Sequence, residues 1–192
     1  RELVPEEELD EVLSRFQESA YVPFTYENGL YALPEQQTFQ MLFYRTDILE
    51  QLGIAAPTLE NPWTWDDLRR CLPTLQKNNM SILMETGANA NTNGLGSFAM
   101  LLYQRGGSFY TDDFTATALD TEVAVETFRY WTDLYNRGGL PAIFNLANRF
   151  RTGESPIAIA DYTLYNTLAV SAPEIKGMWE MAMVPGTRQE NG

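Results

Sequence analysis

Histidine is missing altogether from this 192-residue chain, and cysteine occurs once, as Cys71. The first absence removes Ser-His-Asp and Cys-His nucleophilic chemistry and the usual zinc sites. The second removes an internal disulfide and a cysteine-held iron–sulfur cluster. A lone cysteine without a basic partner on its helix face reads as a small core residue. Long apolar runs are lacking too, since no window approaches the ~18 continuous residues of a membrane span. Positive charge is scarce: 13 Lys and Arg stand against 26 Asp and Glu, a formal net charge of −13. Neither nucleic acid nor an anionic membrane surface is therefore an expected partner, because both are held by Lys and Arg. No metal or cofactor is expected. What remains, 44% hydrophobic and 12% aromatic residues, is the composition of a folded globular chain. Both ends, Arg1-Glu2-Leu3-Val4-Pro5 and Arg188-Gln189-Glu190-Asn191-Gly192, read as cuts in a longer protein.

Hydrophobic spacing places the elements. Leu9, Val12, Leu13 and Phe16 predict a helix over 5–18, ended by Pro23. Asn28-Gly29 is a turn feeding a strand up to Pro34, and 39–44 is a second strand apolar enough for burial on both faces. Thr46 is expected to cap a short helix stopped by Gly53. Thr64-Trp65-Asp66-Asp67 opens another helix with a T-x-x-D cap, and Pro73 should kink or end it. A strand over 81–84 leads into the amide-rich stretch 85–94. Helices follow over 97–105 and 121–136, the latter with Ala124, Phe128, Trp131 and Tyr135 on its buried face. A turn over 149–154, a strand over 156–160, a helix capped by Asp161 and a strand over 177–184 complete the series. Strands alternating with helices make the fold class α/β, a mixed sheet flanked by helices.

Three constellations carry chemistry. Gly94-Leu95-Gly96-Ser97-Phe98-Ala99 has the form G-x-G-x-x-A, but a long polar loop precedes it where a dinucleotide fingerprint needs a strand. Glu35, Glu85 and Asp161 follow or end strands, and a pair of them at the right separation could hydrolyse a glycoside. The third is a set of neutral hydrogen-bonding groups: Glu35-Gln36-Gln37-Thr38, Gln40, the amides Asn89, Asn91 and Asn93, and Asp161, Tyr162, Thr163 and Tyr165. Amides and acids bind sugar hydroxyls while aromatic rings cover their C–H faces. The same residues could equally cap helices and fill the rim of a core.

Gly29-Leu30-Tyr31-Ala32-Leu33-Pro34 followed by Leu42-Phe43-Tyr44-Arg45-Thr46-Asp47-Ile48-Leu49 resembles a run in the family 1 bacterial extracellular solute-binding proteins of the maltose-binding type. Pro62-Trp63-Thr64-Trp65-Asp66-Asp67-Leu68, Gly106-Gly107, Phe150-Arg151-Thr152-Gly153-Glu154-Ser155-Pro156-Ile157-Ala158-Ile159 and Val184-Pro185-Gly186 are similar to further motifs of that family, in its order. Arg45 and Thr46 replace the common Asn-Lys, an exchange expected to be harmless on a surface. Trp63 and Trp65 are expected to pack helices.

The resemblance implies one lobe of a type II periplasmic-binding-protein-like fold, the C-terminal lobe. Residues 1–22 would be a trailing helix of the first lobe and 23–192 the lobe itself, with hinges near 26–34 and 183–186. It implies non-catalytic binding of a carbohydrate, an oligosaccharide by preference, for delivery to an ABC importer. A peptide, another small solute, or a carboxylate-dependent glycosidase remain alternatives. The implied ligand contacts are Glu35, Gln36, Gln37 and Gln40, then Glu85, Asn91 and Asn93, then Asp161, Tyr162 and Tyr165. The implied partners are the permease subunits and the remaining lobe, and the implied location is extracytoplasmic, as a periplasmic protein or cell-surface lipoprotein.

Overall fold

The computed structural model describes residues 5–27, 29–35, 39–84, 96–142 and 145–187. The chain forms two compact units, Arg1–Phe39 and Gln40–Gly192. In the first, α1 covers Glu6–Leu13 and α2 covers Glu18–Tyr21. The helix expected over 5–18 thus breaks after Leu13, where the Ser14 hydroxyl donates to the Glu11 carbonyl at 2.7 Å and offers the backbone a competing partner. A two-residue ladder, β1 (Thr25–Tyr26) against β2 (Gly29–Leu30), replaces the longer strand expected up to Pro34.

The second unit is built around β3 (Gln40–Arg45), whose Leu42 and Phe43 are fully buried. Antiparallel neighbours flank it: β5 (Ile157–Asp161) on one side and β6 (Trp179–Ala182) on the other, while β4 (Ile82–Met84) runs parallel to β5. The order is β4-β5-β3-β6, a mixed sheet. Alternation sorts its side chains. Leu42, Tyr44, Ile82, Met84, Ile157 and Ile159 face one core, shared with α3 (Thr46–Leu52), α4 (Trp65–Lys77), α5 (Gly96–Gln104) and α6 (Glu122–Asn136). Phe43, Leu83, Ala158 and Ala160 face a second core, shared with α7 (Leu146–Arg151) and α8 (Leu164–Ser171). Helices therefore cover both faces of the sheet, the layered α/β architecture that alternating strands and helices require.

Local chemistry explains the element ends. Thr64 caps α4 in a full capping box: its hydroxyl accepts from Asp67 N–H, and the Asp67 carboxylate accepts from Thr64 N–H. Pro73 does not end this helix, which continues to Lys77 between the buried anchors Leu72 and Leu75. Thr46 is the first helical residue of α3 and Arg45 the capping position, so the expected threonine cap is absent; Gly53 closes the helix in the left-handed region at φ 67°. Residues 149–154, read as a turn, begin inside α7, which Asn145 caps by accepting from Asn148 N–H at 2.9 Å. On the face expected for α6, Ala124 is buried and Trp131 and Tyr135 pack partly buried against the core, whereas Phe128 is half exposed and Thr127 and Leu134 take buried positions beside them. Trp63 and Trp65 are both buried in the first core, and Cys71 is buried there with its thiol pushed up to about 11, chiefly by burial.

Arg45 corrects a further expectation. It is 7% exposed, not a surface residue, and its guanidinium makes a two-point contact with Asp47 at 2.9 and 2.7 Å. Its remaining nitrogen donates to the Phe150 and Arg151 carbonyls at the end of α7, tying β3 to that helix. Gly153, at φ 79°, sits so close to this corner that a Cβ would lie 2.7 Å from Ile48 Cδ1.

Tyr44 carries a pH-dependent contribution. Its hydroxyl donates to Glu180 Oε2 at 3.0 Å across the β3–β6 pair, and burial, followed by that bond and the Glu180 charge, pushes its pKa up to about 12. The folded chain keeps this proton where the unfolded chain loses it. The contribution is complete below about pH 10 and is lost as pH rises through the folded value. Tyr44→Phe should accordingly flatten the decline of unfolding free energy above about pH 10. Urea unfolding at stepped alkaline pH measures it, and an unchanged slope would remove Tyr44 from the account.

Candidate functional site

The polar end of the sheet lies where β3 begins and β5 ends. Gln40 and Asp161 are direct partners across the antiparallel pair, so their side chains leave the sheet on the same face. They continue the rows Leu42, Tyr44 and Ile157, Ile159 that face the first core, but are polar where those rows are apolar. Strand β4 leaves the sheet at this same end after Met84, being parallel to β5. Helix α5 begins here, because Gln40 Nε2 is 3.8 Å from the point a Gly96 Cβ would occupy.

The groups differ in their engagement. Gln40 Oε1 is buried and has no hydrogen-bond partner. Asp161 is partly buried, and its Oδ1 accepts from Thr163 N–H at 2.9 Å, which turns the chain into α8. The capping position of that helix is Thr163, so Asp161 shapes the turn before the helix rather than capping it directly. Tyr162 is partly buried beside it, with its carbonyl accepting from Tyr165 N–H. Tyr165 is half exposed, and its ring meets Trp179 edge-on at 5.6 Å. Trp179 in turn contacts Phe43 and Phe150, so Tyr165 stands with the second core, on the opposite face from Gln40 and Asp161.

Of the ten residues anticipated as contacts, the structure brings Gln40, Asp161 and Tyr162 to one end of one sheet. Glu35 is exposed in the first unit. Gln36, Gln37, Glu85, Asn91 and Asn93 lie outside the described residues. Gly96, at the start of α5, is a further neighbour of Gln40; in the sequence it belongs to the G-x-G-x-x-A run and not to the anticipated contacts. Among the described residues no group of three or more Cys, Asp or Glu side chains is placed to hold a metal ion.

An amide and a carboxylate thus lie side by side at the end of an α/β sheet, the place where strand ends commonly receive ligands. The bacterial extracellular solute-binding protein family matches residues 4–191. The chain belongs to that family. A comparison with curated proteins gives no match. Among solved structures, an ABC transporter solute-binding protein from Thermotoga lettingae TMO bound with α-D-tagatose superposes with a TM-score of 0.79 at 23% identity, over 96% of this chain and 49% of that one. An ABC substrate-binding protein from Listeria monocytogenes in complex with cycloalternan gives 0.74 at 21%, over 92% and 44%. UgpB from Mycobacterium tuberculosis in complex with glycerophosphocholine gives 0.71 at 16%, over 93% and 47%. At these identities the likeness establishes the fold, and the chain spans about half the length of these solved structures. As an extracellular solute-binding protein by family, it is extracytoplasmic, and among the described residues no helix is long and apolar enough to cross a membrane.

Proposed function

We propose that this chain is one lobe of a two-lobed binding protein that captures a carbohydrate, an oligosaccharide by preference, and presents it to the permease of an ABC importer. The observation that carries the reading is the register partnership of Gln40 with Asp161, which sets an unpartnered amide oxygen beside a carboxylate at the end of the sheet. Both accept hydrogen bonds, and a sugar is a dense array of hydroxyl donors. Tyr162 supplies an aromatic body beside them, and Glu35, Gln36, Gln37, Glu85, Asn91 and Asn93 are proposed as further contacts; Tyr165, on the Trp179 side of the sheet, is not. Sugar-bound relatives with the same fold support the choice of ligand class. Binding would close the two lobes by favouring the closed state, with the hinges near 26–34 and 183–186. No bond in the ligand is made or broken. A periplasmic form and a cell-surface lipoprotein are both consistent with the family.

Titration calorimetry of the two-lobed protein with malto-, xylo- and galacto-oligosaccharides tests this. One series should bind and be recovered intact by chromatography after overnight incubation. Absence of binding across sugars would overturn the carbohydrate reading, and cleavage products would overturn the non-catalytic one.

A further inference from the structure

A cavity of about 440 Å³ opens where the start of α4, the end of α5, the middle of α6 and the chain leaving β6 meet. Hydrogen bonds fix its walls. Trp65 N–H donates to the Gly186 carbonyl at 3.2 Å and Gly186 N–H to the Trp63 carbonyl at 3.1 Å, which clamps the departing chain to the start of α4. Gln104 joins the same corner, accepting from the Trp65 indole at 2.8 Å and donating to the Pro185 carbonyl at 3.0 Å. Cavities of this size hold small solutes.

The charges on these walls divide into a satisfied pair and an unsatisfied one. Asp67 is engaged, accepting from Thr64 in the capping box and from the Arg70 guanidinium. Arg105 and Asp66 enter no ion pair among the described residues. The partly buried Arg105 rests on the Tyr130 ring, its guanidinium 4.3 Å from the ring centre, and its Nε is buried with no hydrogen-bond partner. The Tyr130 hydroxyl is also buried without a partner, and Arg69 lies over the same ring at 5.4 Å without bonding it. Burial pushes the Tyr130 pKa up, while Arg69 and Arg105 draw it down and Asp66 pushes it up, so the hydroxyl stands in the field of both signs of charge. A guanidinium short of a carboxylate beside a buried hydroxyl short of an acceptor is costly, and one acid group would satisfy both. Asp66, exposed on the first turn of α4, repels a bare anion and attracts a cation.

We infer that this cavity is a second binding site, for a small zwitterionic solute of the amino-acid class, whose acid group meets Arg105 and Tyr130 and whose ammonium group faces Asp66. An acid alone meets the Asp66 charge uncompensated, and an amine alone leaves Arg105 as it is. The site includes neither Gln40 nor Asp161 and does not depend on the carbohydrate reading. Because Gly186 and Thr187 form part of the wall, a bound solute also holds the segment by which the chain leaves β6.

Titration calorimetry of the two-lobed protein with glycine, β-alanine and γ-aminobutyrate, set against butyrate and butylamine, tests the inference. One zwitterion should bind at least about tenfold more tightly than butyrate and butylamine, the scale of one charge-assisted hydrogen bond. Arg105→Gln, which keeps an N–H donor but no charge, should weaken that zwitterion by about tenfold or more. Asp66→Asn should bring butyrate level with it. Tyr130→Phe should weaken it about fivefold while the ligand-free thermal midpoint holds or rises, since the hydroxyl has no partner to lose. No zwitterion binding by about 10 mM, or full affinity in Arg105→Gln, overturns the inference. Butyrate binding the unsubstituted protein as tightly as the zwitterions overturns it as well. The stability arm needs no ligand: a clear fall in the midpoint of Tyr130→Phe would show that the hydroxyl is satisfied inside the protein, and would overturn the inference by itself.

Discussion

Asp161→Ala in the two-lobed protein should weaken ligand binding by about 100-fold or more, because a carboxylate accepting from ligand hydroxyls contributes roughly 1.5–3 kcal/mol per bond. The same carboxylate accepts from Thr163 N–H, so the substitution also leaves one backbone donor at the start of α8 without its partner. That second loss falls on stability and is expected to cost about 1 kcal/mol. Asp161→Asn separates the two effects. Its amide oxygen still accepts from Thr163, which should restore the unfolding midpoint, while the loss of charge and of one acceptor keeps binding weak. Calorimetry and thermal unfolding on both variants give the answer together. Full affinity in Asp161→Ala would remove Asp161 from the site, and weak affinity that follows stability in both variants would make its role structural.

Phe43→Ala should lower the unfolding free energy by about 4 kcal/mol, near the upper range for emptying a large buried position. Phe43 is fully buried on the central strand β3, edge-on to Phe150 at 6.4 Å and tilted against Trp179 at 6.0 Å. Those rings come from α7 and β6, so a void there loosens the second core across elements far apart in sequence. In a chain of this size the thermal midpoint should fall by roughly 10 °C. Urea denaturation measures it directly. A loss below about 1.5 kcal/mol, the scale of a volume-conserving swap, would contradict the central placement of β3.

The sheet was legible in the sequence because its strands are nearly continuous apolar runs, as strands buried on both faces must be. Phe39–Tyr44 and Pro156–Ala160 were read within a residue or two of β3 and β5. The start of α4 was legible for a different reason: Thr64 and Asp67 form a reciprocal pair that is local in sequence. What failed depends on distant packing. Arg45 reads as a surface residue until α7 folds against it and supplies two carbonyls. Phe128 fits the helical spacing of a buried face, yet the ring is half exposed beside Trp131 and Phe98 while Thr127 is buried, its hydroxyl donating to the Val123 carbonyl. Within the candidate site, Gln40 and Asp161 stand 121 positions apart in sequence, and only the β3–β5 register makes them neighbours. Tyr165 is only three residues from Tyr162 in sequence, and one turn of helix carries its ring to the Trp179 side of the sheet.

Amide chemical-shift mapping on the two-lobed protein, titrated with a neutral oligosaccharide that calorimetry shows to bind, tests the central claim most directly. The account predicts the largest perturbations at Gln40, Gly96 and the Asp161–Thr163 turn, with a distinct side-chain amide shift for Gln40 as its oxygen gains a donor. Perturbations confined to other surfaces, with the Gln40 side-chain amide unmoved at saturation, would contradict it.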